Sequence, residues 1–212
     1  MSFKFTRLQI AVHIGSLIPL VWLIVSYFTG RLTFNPIQAA TQRTGQYAII
    51  LLILSLACTP ATTVLGFSRV LTLRRPLGLY AFAYALIHFT IFVAWDYGFS
   101  WALILQTIVE KRFVIVGLTA FAILLPLALT SCQWWMIRLG RAWKTLHRLV
   151  YLAALLAVLH YGWAVKGDIF SLRGDVWKPL VYGAVVILLL LLRLPAVRKW
   201  VVNTRERGLA RQ

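Results

Sequence analysis

Apolar runs of about 20 residues recur along this chain, separated by short segments that collect most of its charge. A run of that length matches the roughly 30 Å hydrocarbon thickness of a bilayer at about 1.5 Å of helical rise per residue. Six spans follow, at about 8–28, 46–67, 77–95, 113–132, 146–165 and 179–194. A helix satisfies its own backbone in lipid, so each span is expected to be helical. The expected fold is an all-α integral membrane protein with one six-helix transmembrane domain and no soluble domain. Pro19 and Pro126 fall inside spans and are expected to kink them. The longest connection runs from Thr29 to Gly45, and no internal repeat stands out.

The formal charge is +17, which in a soluble chain would point to nucleic acid. Here the cations sit between apolar spans, so they report topology instead, and no nucleic-acid partner is expected. One side collects Lys4, Arg7, Arg69, Arg74, Arg75, Arg138, Arg141, Lys144, Arg148, Arg193, Arg198, Lys199, Arg205, Arg207 and Arg211. The other has Arg31, Arg43, Lys111, Arg112, Lys166, Arg173 and Lys178, together with the acids Asp96, Glu110, Asp168 and Asp175. The excess of Lys and Arg on the first side places both termini in the cytoplasm. Tryptophans near the span ends, Trp22, Trp95, Trp101 and Trp163 among them, suit the two lipid–water interfaces. The basic C-terminal tail would meet the lipid of the anionic inner leaflet or remain solvated. The N-terminal run lacks a small-residue cleavage site and is read as an uncleaved first span. Cys58 and Cys132 form no CxxC pair and are read as small buried hydrophobes.

All four histidines, His13, His88, His147 and His160, fall within spans. Ionisable groups in spans are rare and mark functional sites by default. His88 lies about 12 residues into the third span and His160 about 14 into the fifth, and these two spans run in the same direction. The two therefore reach matched depth near the outer face. Two imidazoles at one depth on facing helices can hold a haem iron from both sides. Zinc is a weaker fit, because it wants four ligands and no third residue shares that depth. Hydrogen-bonded packing is the alternative for any one histidine. His147 sits at the cytoplasmic mouth of the fifth span, and His13 lies at a comparable depth on the first. On an ideal helix His147 points some 140° away from His160, so a second haem at His147 needs a partner of its own. Arg74, Arg75 and Arg148 could pair with haem propionates or a flavin phosphate, or could simply fix topology.

The stretches RRPLGLYAFAYALIH (Arg74 to His88), LGRAWKTLHRLVYLAALLAVLHYGW (Leu139 to Trp163), RTGQYAIILLILSLACTP (Arg43 to Pro60) and LALTS (Leu127 to Ser131) resemble the MsrQ family, also known as YedZ. That family belongs with the ferric-reductase-like transmembrane proteins. The resemblance covers nearly the whole chain. It implies one or two b-type haems with His88, His147 and His160 as the haem-associated histidines, and a flavin mononucleotide (FMN). It implies electrons supplied by the quinone pool or a cytosolic flavin reductase. The implied acceptor is a periplasmic molybdopterin-containing methionine sulfoxide reductase subunit, with this chain in the bacterial inner membrane as the electron-transfer subunit, not the catalytic one. No GxGxxG follows a strand, so the electrons would come from a separate donor. A stand-alone ferric reductase or quinone-reactive cytochrome b, and a non-redox small membrane transporter, are the competing readings. No acid lies well inside a span, which leaves a carboxylate-based transporter unsupported.

Overall fold

The computed structural model describes residues 6–165, 167–168, 173–174 and 176–209, with side chains described over 6–165 and 176–204. Lys4, Lys166, Asp175 and Arg211 lie outside the described residues, as do the side chains of Asp168, Arg173, Arg205 and Arg207.

The chain is almost entirely helical. Helix α1 (Arg7–Phe28) opens on a capping box in which Thr6 and Gln9 satisfy each other's backbone amides. Helix α2 (Pro36–Leu65) begins ten residues before the expected second span. Its start is written locally, because Pro36 occupies the first turn and the Asn35 side chain accepts from the Gln38 amide at 3.1 Å. The expected loop from Thr29 to Gly45 therefore shrinks to a short turn. Helix α2 ends on Gly66, whose φ of 72° suits glycine. A 3-10 turn (Ser68–Leu73) leads into helix α3 (Arg74–Thr90), which continues as a π-helical segment (Ile91–Asp96).

Helix α4 (Trp101–Glu110) falls where a loop was expected, and at 10 residues it is too short to cross. Helix α5 (Arg112–Leu129) is the fourth span. Helix α6 (Gln133–Leu139) is a short connector leading to helices α7 (Arg141–Arg148) and α8 (Val150–Ala164), which together make the fifth span. A two-residue antiparallel pair, β1 (Gly167–Asp168) with β2 (Arg173–Gly174), interrupts the helical pattern. The last pair is α9 (Trp177–Leu191) and α10 (Pro195–Leu209), bent by 79°. Among the described residues five helical segments are long and apolar enough to cross, and a sixth crossing is reached if this bent pair counts as one span.

Lipid replaces water as the outer solvent, so large apolar side chains cover the surface. Ile14, Ile18, Val21 and Val25 leave α1 apolar on its outer faces. The packed interior instead uses small residues: Ala81, Ala153 and Ala154 are at most 1% exposed and let α3 and α8 approach their neighbours closely. Cys58 is buried, as expected. Cys132 is exposed, because α5 stops at Leu129 and Cys132 sits at the N-cap position of the short connector α6, with no side-chain capping bond.

Arg193 lies at the break between α9 and α10. Pro60 has no amide hydrogen, so the Leu56 carbonyl one turn earlier on α2 lacks its normal helical donor. Arg193 supplies one: Nη2 donates to the Leu56 oxygen at 2.6 Å and Nη1 to the Tyr151 hydroxyl at 2.7 Å. One guanidinium thereby ties α9 to α2 and α8.

Candidate functional site

The hairpins α2/α3 and α5/α8 make the same arrangement twice. On α3, His88 Nδ1 lies 2.8 Å from the Thr41 carbonyl of α2. On α8, His160 Nδ1 lies 2.7 Å from the Phe113 carbonyl of α5. A carbonyl only accepts, so each Nδ1 carries the proton and each Nε2 keeps a free lone pair. This is the tautomer that a metal-bound histidine needs, with its orientation fixed by the bond on the far nitrogen.

Each imidazole lies against a glycine one turn beyond the accepting carbonyl. A Cβ on Gly45 would stand 3.1 Å from His88 Nδ1 and Cε1. A Cβ on Gly117 would stand 2.6 Å from His160 Nδ1 and 2.7 Å from its Cε1. At Gly117 only a hydrogen fits, and at Gly45 a methyl group would need the ring to give by a few tenths of an ångström. Thr41, Gly45 and His88 are each followed 72 residues later by Phe113, Gly117 and His160. The buried pairs Ala48 and Ala120, Leu52 and Leu124, and Ala81 and Ala153 share that offset. An internal repeat is therefore present. It escapes notice in the sequence because the intervening residues are interchangeable apolar ones.

The two rings face each other with centroids 6.0 Å apart and planes 80° to one another. Two imidazoles bound through Nε2 to one metal at about 2.0–2.1 Å would place their centroids about 6.3 Å apart. The pair therefore fits axial ligation of a single iron. Among the described residues no group of three or more His, Cys, Asp or Glu could hold a metal, so the tetrahedral zinc alternative lacks its ligands. Phe121 of α5 stacks between Phe82 and Phe89 of α3, at 5.7 and 4.9 Å, and ties α5 to the helix that carries His88. The paired imidazole donors suit an iron macrocycle.

The other sequence candidates lie apart from this pair. His147 stacks on Trp143 at 3.9 Å and its Nδ1 lies 3.1 Å from the Trp143 carbonyl. Its Nε2 is buried with no hydrogen-bond partner. A single turn residue, Leu149, separates α7 from α8 between His147 and His160, and its backbone stays in the right-handed helical region. His13 places Nδ1 2.9 Å from the Tyr80 hydroxyl, tying α1 to α3. Arg74 is half-buried, while Arg75 and Arg148 are exposed. Sequence reasoning misses Gly45, Gly117, Thr41 and Phe113. The equal spacing of the two Gly–His pairs is the signal that could have found them.

Two clefts flank this core. One, of about 280 Å³, opens between α1, α2 and α3 and is lined by Val12, Gly15, Ser16, Pro19, Tyr47, Ile50, Leu51, Leu54 and Leu77. The other, of about 520 Å³, is lined by Glu110, Lys111, Arg112, Phe113 and Trp163, beside His160.

The family described as "Ferric reductase like transmembrane component" matches residues 44–158, which include His88 and His147. Among curated proteins, the chain is 42% identical over 193 residues to the "Protein-methionine-sulfoxide reductase heme-binding subunit MsrQ" of Rhodospirillum rubrum, covering 90% of this chain and 89% of that one. The protein of the same name from Bordetella pertussis is 38% identical, with 97% of this chain and 94% of the relative aligned. That from Deinococcus radiodurans is 47% identical over 158 residues, covering 74% and 78%.

Proposed function

The chain belongs to the MsrQ family of ferric-reductase-like transmembrane proteins, and from that premise we propose that it is a b-type haem electron-transfer subunit of the bacterial inner membrane. One observation carries the reading. His88 and His160 face each other at 6.0 Å, each with Nδ1 fixed by a backbone carbonyl and Nε2 left free. The haem supplies one-electron redox chemistry when bound. The chain's part is to hold both imidazoles in the ligating tautomer, exclude water with apolar helices, and set the depth of the iron. With both termini in the cytoplasm, that depth is close to the periplasmic face, because α8 ends four residues beyond His160. The acceptor is a periplasmic molybdopterin-dependent reductase of protein methionine sulfoxide, consistent with the name that the relatives carry.

The donor reaches the protein from the lipid or the cytoplasm. A quinol suits the cleft between α1, α2 and α3, which is apolar and about 280 Å³ in volume. Pro19 removes the amide that would have bonded the Gly15 carbonyl, leaving an acceptor for a quinol hydroxyl in that wall. A cytosolic flavin reductase is the second donor, approaching the basic side. FMN or a haem propionate would find cations there in Arg74, Arg75 and Arg148. A second haem is favoured by one feature, the buried and unpartnered Nε2 of His147.

The test is reduction of the full chain in nanodiscs by a short-chain quinol, followed at the haem α band. Reduction in the wild type and its loss in both His88→Ala and His160→Ala is the expected outcome. A colourless preparation, or variants reduced like the wild type, would overturn the reading.

A further inference from the structure

The cleft beside His160 is built from the segment that orients that histidine. Phe113 lines it and also presents the carbonyl that holds His160 Nδ1 at 2.7 Å. The Phe113 ring lies 5.8 Å from the imidazole. Trp163, three residues beyond His160 on α8, forms another wall and is 49% exposed. The iron-facing imidazole is thus one ring and one hydrogen bond away from an open surface.

The charge of that surface is specific. Glu110 is engaged by Gln106, whose Nε2 donates to Oε1 at 2.8 Å. Lys111 and Arg112 are exposed, and among the described residues neither side chain has an ionic or hydrogen-bonded partner. Cations on the extracytoplasmic side run against the general bias of the chain. These two sit at the rim nearest the redox site.

We propose that this cleft is the electron exit, and that it docks a soluble redox protein whose cofactor mouth is ringed by acidic side chains. The inference rests on the haem reading above and adds where the acceptor binds and what charge it carries. With haem bound, each event would move one electron to the acceptor, with no bond made or broken and no proton transferred. Lys111 and Arg112 steer the acidic face, while Phe113 and Trp163 supply the apolar contact and the short path. Opposite charges around such a patch raise association rates by about 10–1,000-fold at low salt.

The test uses the haem-loaded full chain in nanodiscs and two small one-electron oxidants of opposite charge. Stopped-flow reoxidation is followed with ferricyanide, which becomes ferrocyanide, and with hexaammineruthenium(III), which becomes the ruthenium(II) complex. In K111E/R112E the ferricyanide rate is expected to fall about tenfold at low ionic strength while the ruthenium rate rises, both effects fading in high salt. The haem spectrum should stay unchanged. R31E, which alters another exposed cation on the same side, should leave both rates alone. A haem-independent readout is collisional quenching before haem loading, with the Trp163 share taken as wild type minus W163F. Iodide should quench it more than caesium, and K111E/R112E should reverse that order.

Unchanged oxidant rates in K111E/R112E, or equal effects of R31E, would overturn the exit assignment. Equal quenching of Trp163 by the two ions would overturn the cationic cleft alone. A wild type with no reducible haem would overturn the functional reading and the exit with it.

Discussion

Replacing Gly117 by alanine puts one methyl group where His160 already lies. The added Cβ would sit 2.6 Å from Nδ1 and 2.7 Å from Cε1. Ordinary contact begins near 3.5 Å, so the ring must withdraw from α5 by about 0.8 Å. The Phe113 carbonyl is on α5 as well, and its 2.7 Å bond to Nδ1 would stretch to about 3.5 Å, past hydrogen-bond range. The ring then loses the contact that fixes its tautomer and orientation. Loss of such a supporting bond typically costs about 10–100-fold in metal-site affinity. Gly45→Ala should cost less, because its Cβ would stand 3.1 Å from His88 and the ring needs to give by only a few tenths of an ångström. Gly15→Ala is the control, with nothing within 4 Å of the new atom. The assay is haem titration of the full chain in nanodiscs, with the spin state read from the ferric absorption and electron paramagnetic resonance spectra. The expected order of haem affinity is Gly15→Ala equal to wild type, then Gly45→Ala, then Gly117→Ala with high-spin character. A Gly117→Ala protein that binds haem as tightly as wild type and stays fully low-spin would refute the cradle argument.

Other outcomes follow from single contacts. Arg193→Ala removes donors to Leu56 and Tyr151 and should destabilise the fold by about 1–3 kcal/mol, measured by thermal unfolding in bicelles. Pro60→Ala returns an amide to the Leu56 carbonyl, so the cost of Arg193→Ala should be smaller in that background; strict additivity would contradict the capping role. Leu54→Trp puts a large ring into the cleft between α1, α2 and α3 and should slow haem reduction by quinol while leaving haem content unchanged. An unaltered quinol rate would detach the α1 cleft from donor binding.

The transmembrane class and the His88–His160 pairing are legible in the sequence because both depend on coarse quantities. Span length and axial depth survive errors of several residues at each helix end. Features that depend on one atom are out of reach. Gly45 and Gly117 matter only for the Cβ they lack, and among apolar helices they look like any membrane glycine. Arg193 reads as a stop signal until the missing amide of Pro60 is set against the Leu56 carbonyl. Axial depth leaves the partner open: His13 Nδ1 meets Tyr80 and His147 stacks on Trp143 of its own helix, because rotation about the axis decides which neighbour a side chain meets. The early start of α2 is readable in Asn35–Pro36 but is masked by the polarity of its first two turns.

The central claim is that His88 and His160 hold one iron between them. Pyridine haemochrome assay of the purified full chain, with haem-to-protein stoichiometry for the wild type and the four single His→Ala variants, tests it most directly. The account predicts that His88→Ala and His160→Ala lose the same b-type haem and that the double variant loses no more than either. His13→Ala should retain the wild-type content. Full haem content in His88→Ala or His160→Ala, or losses that add in the double variant, would contradict it.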